Sequence, residues 1–248
     1  MFLLPVGVGT LAAAFLTTSA SPLAAQLPSE NGYYTPFDQN LPPGIAGQWA
    51  AQTGRGAAPS FQPVKIVLPS RGKVTVYSRA EVEPIQQDAP AGVSVAVGHS
   101  YRLRLSDMPE FPGAELYPTI EILDRLHPPA GKAELFPVPV EFTEEEIQFA
   151  LDGRLVTKVV YLEQPQRVVP ESLRPPGGIR SVPASRNLIA EADRDGRPMV
   201  LVRLGSRVPD ADTDERAFFG PGAPVRKLES VRKLEPRTPE NEGQDAAP

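Results

Sequence analysis

The residues of this chain best equipped for chemistry are its 2 histidines, its clustered carboxylates and the arginines Arg102 and Arg104. An imidazole can move protons near neutral pH or ligate a metal. Neither His99 nor His127 has a second ligand at metal spacing, and neither sits in a nucleophile motif. Asp124 lies just before His127, and a strand end running into a polar loop accounts for both. Asp210, Asp212 and Asp214 alternate like the opening ligands of a calcium loop, but Glu215 stands where the sharp turn needs Gly and Pro221 where the bidentate acid belongs. Asp193-Arg194-Asp195-Gly196 is a shorter fragment of that pattern and reads as an acidic turn. Asp107, Glu110, Glu115 and Glu121 are chemically able, but only a fold can make carboxylates converge. The chain has no nucleophile elbow, zinc-protease helix or phosphate loop. No catalytic, cofactor-binding or metal-ligating residue is therefore assigned, and no cofactor is expected. The candidate contacts to a ligand or partner are Tyr101, Tyr117, Tyr161, Arg102 and Arg104. For the arginines, a solvated strand face is the competing explanation.

The elements that would position such residues are clearest from Phe136 to Glu163. Phe136, Val138, Val140 and Phe142 alternate toward one face, with Pro137, Pro139 and Glu141 between them. Prolines two apart remove donors from one side of a strand, so this is expected to be an edge strand. Thr143 and Glu146 have capping-box spacing, Phe142 and Ile147 hydrophobic-staple spacing, and Glu144 to Glu146 suit the positive end of a helix dipole. The three glutamates thus read as helix capping and not as an acidic site. Asp152-Gly153 stops the helix. Arg154 to Leu162 is apolar on both alternations, which predicts a central strand covered on both faces.

Before this stretch, Val64, Ile66 and Leu68, a turn at Ser70-Arg71-Gly72, and Val74 and Val76 make a candidate hairpin. A polar, proline-containing gap follows. Val93, Val95 and Val97 then turn at Gly98-His99 into Tyr101, Leu103 and Leu105, which alternate with Arg102 and Arg104. Leu116 to Leu126 reads as a further strand, and Met199 to Leu204 as a last one returning to the main sheet through an Asp195-Gly196 turn. The expected organisation is a signal peptide over 1–25, an extended linker over 26–60, one β domain over 61–207 and a disordered tail over 208–248. The domain includes a long Pro- and Arg-rich connection, 164–197. In the linker, Tyr33, Tyr34, Phe37 and Trp49 are expected to pack back onto the domain, with docking to a partner as the alternative. In the tail, Val225-Arg-Lys-Leu-Glu229 recurs as Val231-Arg-Lys-Leu-Glu235.

Residues 2–25 carry no charge, and small residues suited to signal-peptidase cleavage precede Gln26. No Lys or Arg precedes the apolar run. An uncleaved anchor is the alternative, although Pro5, Gly7 and Gly9 weigh against a spanning helix. The chain has 0 cysteines, which excludes a disulfide framework, a thiolate metal site and an N-terminal lipidated cysteine. A net charge of −5 argues against a nucleic-acid partner, because phosphate binding needs a basic face.

Gly98 to Leu105, Glu115 to Arg125, Phe136 to Glu163 and Leu201 to Arg207 together resemble a family of uncharacterised exported proteins of planctomycetal type. The resemblance covers about half of the 248 residues and implies an envelope or secreted protein, with no catalytic or binding residue carried over. The fold class expected is all-β, an antiparallel immunoglobulin- or transthyretin-like sandwich with one short helix, flanked by disordered segments. The expected role is that of a non-enzymatic structural or protein-interaction module of the cell envelope, periplasmic or extracellular. Its partners would be envelope or extracellular proteins, with no nucleic acid and no stable membrane span after signal cleavage. A carbohydrate- or peptide-binding module is the alternative and would need exposed tyrosines gathered on one sheet face. A hydrolase is the third reading and would need carboxylates converging on a histidine.

Overall fold

Strand-forming valines, isoleucines and leucines on alternate positions organise this chain, and their inward faces build one shared core. The computed structural model describes residues 38–50, 52, 60–78, 83–164, 179–210, 212, 218–220 and 222–228. The signal-like segment 1–25, Tyr33, Tyr34, Phe37, Asp214, Glu215, Pro221 and the repeat copy 231–235 lie outside them.

In chain order the elements begin with α1 (Ile45–Ala50), β1 (Phe61–Val67), β2 (Lys73–Val76), β3 (Ile85–Asp88), β4 (Ala91–Ala96), β5 (Ser100–Ser106) and β6 (Thr119–Ile122). They continue with β7 (Val138–Glu141), α2 (Glu144–Leu151), β8 (Val156–Glu163), α3 (Leu188–Asp195), β9 (Gly196–Leu204) and β10 (Val225–Lys227). A 4-stranded sheet runs β10-β4-β1-β7, and a 6-stranded sheet runs β3-β2-β5-β6-β9-β8. Their facing sides interdigitate through Val64, Ile66, Val93, Val95, Val138 and Val140 from one sheet and Val74, Leu103, Leu105, Ile120, Val200 and Val202 from the other. The architecture is thus a mostly antiparallel sandwich of two sheets.

Several local expectations meet this topology differently. The segment containing Pro137 and Pro139 is an edge strand, β7, but it pairs with β1 in parallel, Val64 opposite Val138. The candidate hairpin 64–76 is instead an arch between sheets. Here β1 pairs with β4 and β7 while β2 pairs with β3 and β5. The turn at Gly98-His99 likewise carries the chain from β4 in one sheet to β5 in the other. Such crossings explain why each arm is apolar on a single alternation: each lines the same core from its own side.

The predicted centrality of β8 is corrected outright, because β8 is the outer strand of the larger sheet. Both of its faces are covered from above and below, not from the sides. Val156 and Val160 pack on the sandwich core, whereas Val159 packs on a second cluster made by Ala46, Ala50, Leu123, Ile189 and Leu201. That second cluster requires helices on the outer face, so the structure has more than the one short helix expected. α1 lies within the segment expected to be extended, and α3 within the Pro- and Arg-rich connection. β10 lies in the expected disordered tail.

The capping box of α2 acts as read. Thr143 Oγ1 accepts from the Glu146 N–H at 3.2 Å, and the Glu146 carboxylate accepts from the Thr143 N–H at 3.1 Å. Glu146 also pairs with Lys158 Nζ at 2.6 Å, which ties α2 to β8. At α3, Asn187 Oδ1 accepts from the N–H groups of Ile189 and Ala190, each at 3.1 Å. This is the N-cap arrangement that satisfies donors a helix leaves open.

Candidate functional site

β5, β6 and β9 send Arg102, Arg104, Thr119, Glu121 and Arg203 to the outer face of the larger sheet, and this charged strip is the candidate site. The register forces the grouping. Arg102 lies opposite Thr119, and Thr119 lies opposite Arg203, so their side chains share one face.

At one end the charge is internal. Glu121 is fully buried and pairs with Arg203 Nη1 at 2.9 Å. The other Glu121 oxygen accepts from the Gly47 N–H at 2.7 Å. Two further Arg203 donors go to the carbonyls of Gln39 (3.3 Å) and Leu41 (3.1 Å). A side chain at position 47 would bring a Cβ to 3.1 Å from the Gly98 carbonyl carbon and 3.3 Å from Glu121 Cγ. Glycine is what lets α1 lie this close. Gln39 extends the clamp, accepting from the Leu188 N–H at 2.9 Å and donating to the Arg186 carbonyl at 2.8 Å. Beyond it, Glu191 on α3 is approached by Arg180 at 2.6 Å, Arg194 at 2.8 Å and Arg186 at 3.6 Å. The Glu121–Arg203 pair thus holds 38–50 onto the sheet, and Gln39 joins that segment to the start of α3.

At the other end the cover is aromatic. Phe219 stacks on Tyr77 with centroids 3.8 Å apart, and Phe218 meets Tyr117 edge-on at 5.4 Å. The Arg102 guanidinium lies 4.2 Å from the centre of the Phe218 ring, and that of Arg207 lies 5.6 Å from it. Burial, and then the charge of Arg207, pull Arg102 below its ordinary pKa. No carboxylate among the described residues pairs with either arginine. Arg104 instead binds Glu115, whose other oxygen accepts from the Tyr117 hydroxyl at 2.7 Å. Burial, followed by this hydrogen bond and the Glu115 charge, pushes Tyr117 up to about 12. Two polar atoms under this cover, Thr75 Oγ1 and Arg104 Nε, are buried without a hydrogen-bond partner.

Of the residues singled out in the sequence, Arg102, Arg104 and Tyr117 meet here. Tyr101 does not, because it points into the core, 1% exposed, where its hydroxyl accepts from the Ala96 N–H at 2.8 Å and donates to the Pro224 carbonyl at 3.0 Å. Tyr161 is half-buried on β8, the strand farthest from β2 in the order of the larger sheet. The three tyrosines therefore form no common patch. His99 and His127 are both exposed, and Asp124 is held by Arg197 Nε at 3.4 Å and the Arg125 N–H at 2.7 Å. Sequence reasoning missed Tyr77, Phe218, Phe219 and Arg207. The adjacent phenylalanines of an otherwise polar segment were the one signal available.

Among the described residues, no group of three or more His, Asp or Glu side chains could hold a metal ion, and no helix is long and apolar enough to cross a membrane. What the arrangement offers chemically is two guanidinium groups packed against one aromatic ring, a combination suited to a carboxylate or other anion. Comparison with family models gives no match, and neither the curated proteins nor the solved structures give one.

Proposed function

We propose that this protein is an exported, non-enzymatic interaction module of the cell envelope, built as an immunoglobulin- or transthyretin-like sandwich. It would contact partners through the arginine–aromatic platform on β2 and β5. The observation that carries this reading is the contrast in charge use. Glu121, Asp124 and Glu191 are each neutralised by arginines inside the fold, whereas Arg102 and Arg207 share the Phe218 ring with no acidic partner among the described residues. A half-buried and an exposed cation sharing one aromatic ring are typical contact points for an acidic or carboxylate-bearing partner. The uncharged, small-residue-terminated N-terminal stretch and the resemblance to exported planctomycetal-type proteins support the envelope as the place of action.

The test is capture of partners from envelope extract by the mature chain, compared with the Arg207→Glu and Arg102→Gln variants. Selective loss of bound proteins in both variants is expected, and an unchanged set would refute the platform. The second reading, a carbohydrate- or peptide-binding module, draws on the partly exposed rings of Tyr77 and Phe219. Glycan or peptide binding lost in Phe219→Ala but retained in Arg207→Glu would favour it.

A further inference from the structure

The outer edge of β4 is occupied by a segment that the chain carries twice. Val225, Arg226 and Lys227 pair antiparallel with Val95, Ser94 and Val93, and the Leu228 N–H donates to the Gly92 carbonyl at 3.1 Å. Val225 packs on the sandwich core and Leu228 is buried at 4% exposure. The Arg226 guanidinium lies 4.1 Å from the centre of the Phe61 ring. Each of these side-chain contacts is made by Val, Arg or Leu of the sequence Val-Arg-Lys-Leu, and the same residues recur at Val231, Arg232, Lys233 and Leu234.

We propose that the β4 edge is a binding site for a Val-Arg-Lys-Leu segment, and that Val231–Leu234 is its second ligand, exchanging with Val225–Leu228 by a register shift within one chain. The spacing permits this. Side chains alternate between faces with period two, so an even shift returns every residue type to the face it left, whereas an odd shift would turn the valines outward. The two copies are not equal, and the difference sets the direction of the equilibrium. Ala223, 2% exposed, enters the core just ahead of the first copy, but Glu229 occupies that place ahead of the second. Burying a carboxylate there is unfavourable, so the first copy holds the edge in the resting protein. Docking of the second copy inserts one repeat length of slack between β9 and the docked strand. That slack removes the tether that holds Phe218 and Phe219 at a fixed distance from the docked strand, so they are able to leave Arg102. The proposal does not depend on the envelope reading.

The absence of cysteine makes disulfide trapping clean. Ser94 and Arg226 are direct cross-strand partners, so S94C/R226C reports the first register and S94C/R232C the second. S94C/T238C places a thiol the same distance further along, outside any repeat. In the otherwise unchanged protein, S94C/R232C is expected to close slowly but about tenfold faster than S94C/T238C. Adding V225D and L228D should accelerate R232C trapping and leave T238C trapping alone. Since those two changes fall in the packed strand, V231D/L234D provides the complementary variant. It should abolish R232C trapping without affecting R226C trapping. A rate for R232C equal to that for T238C in every background would overturn the proposal. So would a disulfide-linked dimer as the R232C product, or indifference to V231D/L234D.

Discussion

Over β6 and β9 the outer face of the larger sheet is closed by α1 and α3 around a buried ion pair; over β2 and β5 it is closed by Phe218 and Phe219 packed against two arginines. The first cover leaves Glu121 and Arg203 fully engaged, each bonded to the other and to backbone groups of residues 39–47. A buried charge tolerates no alternative arrangement, because a missing partner leaves it uncompensated in a medium that solvates it poorly. The second cover rests on ring contacts, which are less demanding of direction, and it leaves Thr75 Oγ1 and Arg104 Nε unmatched. One half is thereby fixed to the sheet, and the other can be lifted from it at a smaller loss.

The sharpest way to break this contrast is Arg203→Met. It strands the Glu121 carboxylate and is expected to cost about 3–5 kcal/mol in chemical denaturation. The double variant Glu121→Gln/Arg203→Met should recover much of that loss. A single-variant loss below about 1 kcal/mol would mean that the two covers are alike. Phe218→Ala comes next, at about 3 kcal/mol, and should leave protection of α3 amides in hydrogen exchange unchanged if the covers are independent.

Alkali separates the halves more gently. Tyr117, raised to about 12 from an ordinary 10, is protonated in the folded protein over a range where the unfolded chain has already released its proton. Its contribution is complete below pH 10 and is lost as the pH rises through about 12. The denaturation midpoint should therefore fall across that interval, with a shallower fall in Tyr117→Phe. Tyr101, also raised to about 12 by burial, contributes to the slope that remains. The smallest change is expected for Thr75→Val, within about 1 kcal/mol of wild type and on the stabilising side, since it removes a hydroxyl that has no partner. A loss of more than about 1 kcal/mol would reveal a hydrogen bond that Thr75 makes in solution.

Local signals were legible in this sequence, and partnerships were not. The Thr143–Glu146 box and the proline-marked edge at β7 could be read because a few neighbouring residues determine them. The reading of β8 failed because apolar residues on both alternations say only that both faces are covered. They do not distinguish a neighbouring strand from a helix lying above, and here α3 provides the second cover. The arch at Ser70–Gly72 looked like a hairpin because the same alternation serves two strands facing each other across a core. Of the candidate site, Arg102, Arg104 and Tyr117 were identified by type and alternation. Phe218 reaches it only through the return of the chain well after β9, and Arg207 stands just past the end of β9, where the strand alternation no longer applies. β10 escaped notice because three residues are too few to show a pattern, although the repetition of its sequence was visible.

The strand order of the smaller sheet also governs when it can be finished. β1 waits for β7, with Val64 set against Val138, and β4 waits for β10, with Val95 set against Val225. Pairings this distant along the chain must overcome loop-closure entropy before any contact rewards it, which places the protein among slow, millisecond-to-second folders. A chain emerging from the ribosome presents the bare β4 edge until Val225–Lys227 has been made. Throughout that interval the edge is a template for any passing strand, and an early translational stop would leave it so permanently.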